Sequence, residues 1–513
     1  MNINNKLKDK IKDLDELAVV LKQEQAQGRK VIMCHGVFDL LHIGHIRHFE
    51  QAREYGDILV VSTTPDRFVN KGPGRPVFDE RLRAEAIAAL GCVDYVAINR
   101  WPLAVEAIEL LRPNYYIKGS DYNNPDDDRS GGIVLEEAAV GSVGGKIVFT
   151  NGITSSSSYL INRHLPVFDD GVKEYLAAFT AKYSSDDVVR FLDGGRELNV
   201  LVVGETIIDE YVYCETMGKS GKEPILAARQ LHNEKFAGGI VAVANHVATF
   251  CDRIGLITFL GTVDSHENFV KENLRTNIDS TFLYLEDDAP TILKRRFVEP
   301  YPFQKLFETY IMNSGEPNRS ETQALCSKLE GILPDYDMVL VADYGHGMIG
   351  PEAVELLCNK AKFLAINTQA NAGNLGFNTV SKYPRTDFLC VSERELRLDA
   401  RTRSRDLKEV VKEISKKLSC RKMVITRGQE GSLCYDEAQG FFEVPALATE
   451  VVDRVGAGDA VFSAAGVCAA QGAPIEIIGF VGNAAGAGAV ATMGHRNSTE
   501  SVDLIRQIES LMK

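Results

Sequence analysis

Leu7, Ile11, Leu14, Leu17 and Leu21 recur every three or four residues over 5–27 with charges between them, a spacing that predicts an amphipathic helix covering the domain that follows. From Lys30 the pattern changes to short apolar runs: VIMCHGVF, DILVVSTT, VDYVAI, YYIKG and KIVFT. Between them stand helix-like runs, IRHFEQAREYG, DERLRAEAIAALG, LAVEAIELLR and IVLEEAAVG. This alternation predicts a parallel sheet with right-handed crossovers.

Around 163–195 the strand signal gives way to polar, helix-prone sequence, and a fresh strand begins at NVLVVGETIIDEY. A second alternation follows, with strands NVLVVG, RIGLITFLG, DMVLVADYG, FLAIN, DFLCVS and KMVITRG, and it ends in a small-residue helix pair at 459–493. The expected organisation is an N-terminal helix over 1–29, an α/β domain over 30–165, a linker over 166–195 and a second α/β domain over 196–513. The length of 513 residues exceeds what one hydrophobic core usually serves, which agrees with that division.

Composition narrows the function classes. The formal charge of −14 argues against a broad nucleic-acid surface, so anionic substrates must meet local basic pockets. Ten cysteines without a C-x-x-C pair suggest neither a zinc ribbon nor a disulfide framework, and reduced thiols fit a cytoplasmic setting. The start MNINNKLKDKIKDLDELA has no apolar signal core, and the run GFVGNAAGAGAVATMG is too short and glycine-rich for a membrane span. The expectation is a cytoplasmic protein acting on small molecules, with no nucleic-acid or membrane partner.

The densest chemistry lies in HGVFDLLHIGH. Its apolar strand breaks at the sheet's carboxyl edge, where ligands of open α/β sheets bind. Gly44 then lets backbone approach a phosphate, the helix start supplies unpaired N–H groups, and His42 and His45 can donate to a triphosphate. Taken alone, an H-x-G-H string is also compatible with a metal site or a structural turn. Further along stand NKGPGRPV, with Lys71 and Arg75, then Arg83, IKGSDY with Lys118, Gly119 and Asp121, and TSSSSYLI with Ser156, Ser157 and Ser158. Lysines and arginines on several loops can neutralise a nucleoside triphosphate and a sugar phosphate, and serine hydroxyls at a helix start can hold phosphate oxygens. Individually these have bland alternatives, a solvated charge or an N-cap cluster.

Together these pieces resemble the cytidylyltransferase-type nucleotidyltransferases, and in particular the transferase half of the bifunctional heptose-phosphate kinase and nucleotidyltransferases, through about residue 165. The resemblance implies a Rossmann-like parallel-sheet domain. His42, His45, Lys71 and Lys118 would act in catalysis, and Gly36, Val37, Phe38, Asp39, Gly44, Arg75, Arg83, Gly119, Asp121, Ser156, Ser157 and Ser158 would bind nucleotide. Either ATP or CTP would be the nucleotidyl donor, with Mg2+, and no metal ligand can be named.

In the second domain DRVGAGDAVFSAAG sets Gly456, Ala457 and Gly458 in a turn before Asp459, an anion hole beside a carboxylate. Such N–H groups stabilise a transferring γ-phosphoryl while the carboxylate takes the hydroxyl proton. With GETIIDEY, AGG, PTILKRR, VADYGHG and VITRGQEG, this segment resembles the ribokinase family of sugar kinases over about 197–513, which implies a ribokinase-like α/β domain using ATP. That resemblance makes Asp459 the base, places Asp209, Gly238, Gly239 and Lys294 at the acceptor sugar, and puts Thr426, Gly428, Gly431, Gly456, Ala457, Gly458 and Asn483 beside ATP. It also admits a homodimer through this domain.

The family pattern is broken at Ala242, His346, Asn367, Gln369 and Ser392, and at Arg454 and Val455 before GAGD. The leading expectation is a bifunctional enzyme that phosphorylates a heptose-like sugar phosphate at its anomeric hydroxyl and then transfers a nucleotidyl group to it. A glycerol- or sugar-phosphate cytidylyltransferase with a degenerate kinase domain, and a nucleotide-sensing regulator, are the alternatives.

Overall fold

Five strands, β1 (Val31–Gly36), β2 (Ile58–Thr63), β3 (Tyr95–Ile98), β4 (Tyr115–Gly119) and β5 (Lys146–Thr150), form one parallel sheet in the order β3-β2-β1-β4-β5. The computed structural model describes residues 9–69, 71–72, 74–119, 132–150, 161, 167–286, 288–301, 303–313, 317–494, 496, 498 and 500–513. Alternation along each strand sends successive side chains to opposite faces. Val31 and Met33 therefore join a core with Leu14, Leu17 and Leu21, and Ile32 and Cys34 join another with Phe49, Ala52 and Ile87. The strand order reverses between β1 and β4, so the crevice above their carboxyl ends is the ligand position this topology provides.

The helix predicted over 5–27 is interrupted: residues 9 and 10 are helical, and a separate helix spans Leu14–Ala26. Asp13 caps it by accepting from Asp15 N–H, and Ile11 is drawn into a β-bridge with Val96 instead. Apolar spacing alone cannot distinguish a helical turn from an extended lead-in of the same polarity. Leu7 lies outside the described residues.

The second sheet contains β6 (Asn199–Gly204), β9 (Arg253–Leu260), β10 (Ile278–Tyr284), β13 (Met338–Asp343), β14 (Leu364–Thr368), β15 (Phe388–Ser392), β16 (Lys422–Thr426), β17 (Ser432–Asp436) and β18 (Gly440–Val444). Its order is β10-β9-β6-β13-β14-β15-β16-β17-β18, parallel as far as β16 and antiparallel for the last two. A smaller sheet, β12-β11-β7-β8, is made of β7 (Thr206–Lys219), β8 (Leu226–Gly239), β11 (Ile292–Pro300) and β12 (Phe303–Ile311). Only Glu205 separates β6 from β7, so the chain passes from one sheet to the other within one residue. The small-residue helices Ala457–Ala470 and Ile475–Val490 are buried along nearly their whole lengths, the core role their composition suggests.

Two compact units result: Met1–Lys173 together with Ile505–Lys513, and Glu174–Leu504. Within the helix-prone stretch expected to be a linker over 166–195, the chain forms the helices Asp170–Lys182 and Ser185–Asp193. Within the second unit Phe179 packs 4.4 Å from Phe480 between ring centroids, Tyr183 donates to Glu476 at 2.7 Å, and Val188, Val189 and Leu192 are buried. The polar faces of these helices dominate the local composition and hide an apolar stripe.

Candidate functional sites

At the carboxyl end of β1 the chain turns through Val37–Leu41, and His42 caps the helix Ile43–Arg53. Its Nδ1 accepts from Gly44 N–H at 3.1 Å, which in a neutral imidazole puts the hydrogen on Nε2. That Nε2 is buried and has no hydrogen-bond partner among the described residues. A buried donor without an acceptor is costly, and an anionic oxygen would relieve it. The ring of His45 stacks on His42 at 3.9 Å between centroids, 25° from parallel. Burial, then the charges of His42, His48 and Lys71, hold His45 down to about 3, and burial lowers His42 as well.

The motif's other residues set this pair in place. Phe38, at φ +50°, turns its ring edge-on to His45 at 5.2 Å and to Phe49 at 5.1 Å. A Cβ on Gly36 would stand 2.9 Å from that ring, so glycine makes room for it. Asp39, expected to bind nucleotide, accepts from Val77 N–H (2.7 Å), Phe78 N–H (3.1 Å) and the Arg75 guanidinium (3.3 Å), tying Arg75, Val77 and Phe78 to the motif. His35 is fully engaged between Ser62 Oγ (2.6 Å) and Thr64 Oγ1 (3.2 Å).

Arg83, also expected at the nucleotide, is held from within. Only 1% exposed, it donates to the carbonyls of Phe78, Val37 and Thr64 and to Asp66, so it braces the loops of the motif. Lys118 stands near the end of β4, paired with Glu136 at 2.7 Å, and Lys71 is lowered to about 8, chiefly by burial. Asp121, Ser156, Ser157 and Ser158 lie outside the described residues. Sequence reasoning missed Glu136 and His48. His48 Nδ1 lies 2.9 Å from Thr150 Oγ1, and its i, i+3 spacing from His45 on an amphipathic helix was the available signal.

In the second unit Gly456, at φ +84°, opens the helix Ala457–Ala470, with Asp459 in its first turn and 6% exposed. Its Oδ1 accepts from the Tyr344 hydroxyl at 3.0 Å and from Gln369 Nε2 at 3.1 Å. The small sheet contributes a row in register: Asp209 on β7 opposite Lys294 on β11, opposite Tyr310 on β12. Asp209 is ion-paired with Arg296, and a Cβ on Gly238 would come within 2.3 Å of the Asp209 Oδ2. Lys294 is 7% exposed, lowered mainly by burial, while the charges of Asp209 and Asp459 pull the other way. Its ammonium lies 5.3 Å from the Tyr310 ring centroid and 6.0 Å from that of Tyr344.

Thr426 ends β16, and Gly428 and Gly431 follow at φ +61° and +77°. A side chain at Gly431 would collide with Val444 O, 2.0 Å away. The Asn483 amide donates to Ser432 Oγ (3.0 Å) and Gly479 O (2.9 Å), locking its helix to β17. Arg296, Tyr310 and Tyr344 escaped the sequence reading, although PTILKRR held a further arginine and VADYGHG the tyrosine.

Residues 197–502, more than half of the chain, match the family model for pfkB family carbohydrate kinases. The chain belongs to the pfkB family of carbohydrate kinases. Residues 33–163 match the cytidylyltransferase-like model, so the first unit has that fold and the second the ribokinase-like one. The "Bifunctional protein HldE" of Geobacter metallireducens is 39% identical over 151 residues, 29% of this chain and 29% of the relative. That of Citrifermentans bemidjiense is 44% identical over 116 residues, 22% and 24%. The chain thus spans less than a third of the length of the curated relatives it matches. A crystal structure of phosphofructokinase-2 from Escherichia coli in complex with potassium is similar over 62% of this chain and 99% of its own, at 17% identity and a TM-score of 0.48.

Within this pfkB kinase the departures divide into two kinds. Asn367 donates to Cys390 O (2.7 Å), Ser392 caps the helix Glu393–Asp399 and Ala242 packs in a buried helix, so these three serve architecture, while Arg454 is exposed. Val455 N–H donates to Asp453 (3.2 Å), a buried carboxylate that also accepts from Tyr211. Gln369 and His346 change the site itself, the first by its bond to Asp459. The second stands with its Nε2 buried and without a partner among the described residues, its pKa lowered to about 4 by burial. Among the described residues no group of three His, Cys, Asp or Glu is arranged for a metal ion, and no helix is long and apolar enough to cross a membrane.

Proposed function

We propose that this chain makes a nucleotide-activated sugar in two steps. In the second unit the anomeric hydroxyl of a heptose-like sugar phosphate attacks the γ-phosphorus of MgATP. The bond to the ADP oxygen breaks, and the hydroxyl proton passes to Asp459. The N–H groups of the Gly456–Gly458 turn face the developing charge, and Asp209 and Lys294 orient the acceptor. In the first unit the sugar 1-phosphate oxygen attacks the α-phosphorus of ATP or CTP, and magnesium pyrophosphate leaves. His42 and His45 donate to the phosphates, with Lys71 and Lys118 balancing charge. The reaction takes place in the cytoplasm, with a homodimer formed through the kinase unit.

The observation that carries the reading is the buried His42 Nε2, without a hydrogen-bond partner among the described residues, beside a helix N-terminus, in a chain that also holds Asp459 at a second such terminus. A screen of the nucleoside triphosphates against heptose, hexose and glycerol phosphates, reading ADP and pyrophosphate separately, tests it. No product with any pair defeats it. The second reading, a glycerol- or sugar-phosphate cytidylyltransferase with a silent kinase unit, rests on Gln369 and His346. It predicts pyrophosphate release from a supplied glycerol phosphate or sugar 1-phosphate, with no ADP formed.

A further inference from the structure

On the small sheet the row of Asp209, Lys294 and Tyr310 is followed, two residues along each strand and on the same face, by Tyr211, Arg296 and Glu308. Arg296 joins the two rows by pairing with both Asp209 and Glu308. Further along β12, Lys305 reaches back until its ammonium lies 5.8 Å from the centroid of the Tyr211 ring. Tyr211 and Lys305 end on one carboxylate outside their own sheet, that of Asp453, shortly before the Gly456–Gly458 turn. The Tyr211 hydroxyl donates to Oδ2 and the Lys305 ammonium to Oδ1, each at 2.6 Å. Gly494 N–H donates to Oδ2 and Val455 N–H to Oδ1, each at 3.2 Å.

These donors come from separate places. Two belong to the sheet that carries the acceptor row, one leads into the turn before Asp459, and one follows the helix Ile475–Val490. The Asp453 side chain is 1% exposed, and among the described residues Lys305 is the one cation ion-paired with it. Without that cation a buried negative charge would stand beside the N–H groups of the turn and oppose the phosphoryl charge they are placed to receive. Lys305 itself is 37% exposed and comes from the edge strand of its sheet, so its removal opens no cavity in the core.

We propose that Lys305 is a positioning residue of the kinase site. Its ammonium neutralises Asp453 and, with Tyr211, fastens the acceptor-bearing sheet to the turn that receives the γ-phosphoryl group, so that acceptor and phosphate meet in one alignment. This rests on the reading of the second unit as a sugar kinase with its acceptor on the small sheet.

The test uses the full chain and reads two quantities. One is ADP formation with whichever heptose, hexose or glycerol phosphate the parent phosphorylates. The other, which needs no acceptor, is hydrogen exchange of the Val455–Gly458 amides. K305M lowers kcat at least about tenfold and leaves the KM for MgATP within about twofold, because the alignment matters most in the transition state. The turn amides exchange at least about tenfold faster in K305M, while those of β13 and β14 keep the parent's protection and control for folding. K305R, which keeps a cation at the carboxylate, stays within about threefold of the parent in kcat. In K305A, ammonium or methylammonium enters the vacated place and restores rate saturably, tetramethylammonium does not, and none of the three activates the parent. Unchanged kcat in K305M, unchanged exchange of the turn, or a K305A loss that neither small amine restores overturns the inference. If the parent phosphorylates none of the acceptors, the kinase reading falls, and the exchange difference alone decides whether Lys305 holds the turn.

Discussion

Protonation of the buried histidines of the first unit gives a stability prediction whose size follows from the structure. His35 and His45 are lowered to about 3 and His48 to about 4, each mainly by burial, from an ordinary value of 6.5. In the unfolded chain they bind protons below 6.5, whereas in the folded unit they remain neutral, so their contribution to stability is complete above 6.5 and is lost as pH falls. From about pH 7.5 to about pH 5.5 each unfolded imidazole gains nearly one proton, which costs the fold about 1.4 kcal/mol per histidine and about 4 kcal/mol for the three. The assay is the opening free energy of amides in β1 and β4 by hydrogen exchange at the two pH values, without nucleotide. His35→Asn separates this from other titrations. Whatever stability the variant loses through Ser62 and Thr64, its change between the two pH values should be smaller than the parent's by about 1.4 kcal/mol. An unchanged difference would show that His35 is not held neutral and would refute the reasoning.

Gly238→Ala should drive the Asp209 carboxylate off its position beside Arg296, since the new Cβ would lie 2.3 Å from Oδ2. Disrupting a buried ion pair typically costs about 3–5 kcal/mol, so the expected result is a lower Tm and an acceptor KM raised at least tenfold. Arg83→Met should destabilise the first unit by about 3–5 kcal/mol by stranding three carbonyls and Asp66, with urea unfolding as the readout. Tyr344→Phe removes one of the donors to Asp459 Oδ1 and should lower kcat for ADP formation with little change in the KM for ATP.

The sheet architecture was legible because apolar runs and amphipathic segments alternate so regularly, and the GVFD, H-x-G-H and GAGD strings locate both crevices. What sequence could not supply was the division of labour inside those strings. Asp39 and Arg83 carry the same charges as ligand residues, but backbone partners distant in sequence consume them. The bond of Asn483 to Ser432 was equally hidden, because it depends on how a helix lies on β17. Arg296 and Tyr344 become site residues only through strand register and a loop returning to Asp459. The helices within 166–195 were legible as helix-prone sequence, but their packing was not, because their polar faces outweigh residues such as Phe179 and Leu192 in any local average.

The most direct test of two sites in one chain follows the parent, Asp459→Asn and His45→Ala by mass spectrometry with ATP, CTP and a heptose phosphate. The parent should give the nucleotide-activated sugar. Asp459→Asn should give none until sugar 1-phosphate is supplied, and His45→Ala should stop with the sugar 1-phosphate accumulated. Loss of both steps in either variant, or an activated sugar formed without an intermediate 1-phosphate, would contradict the account.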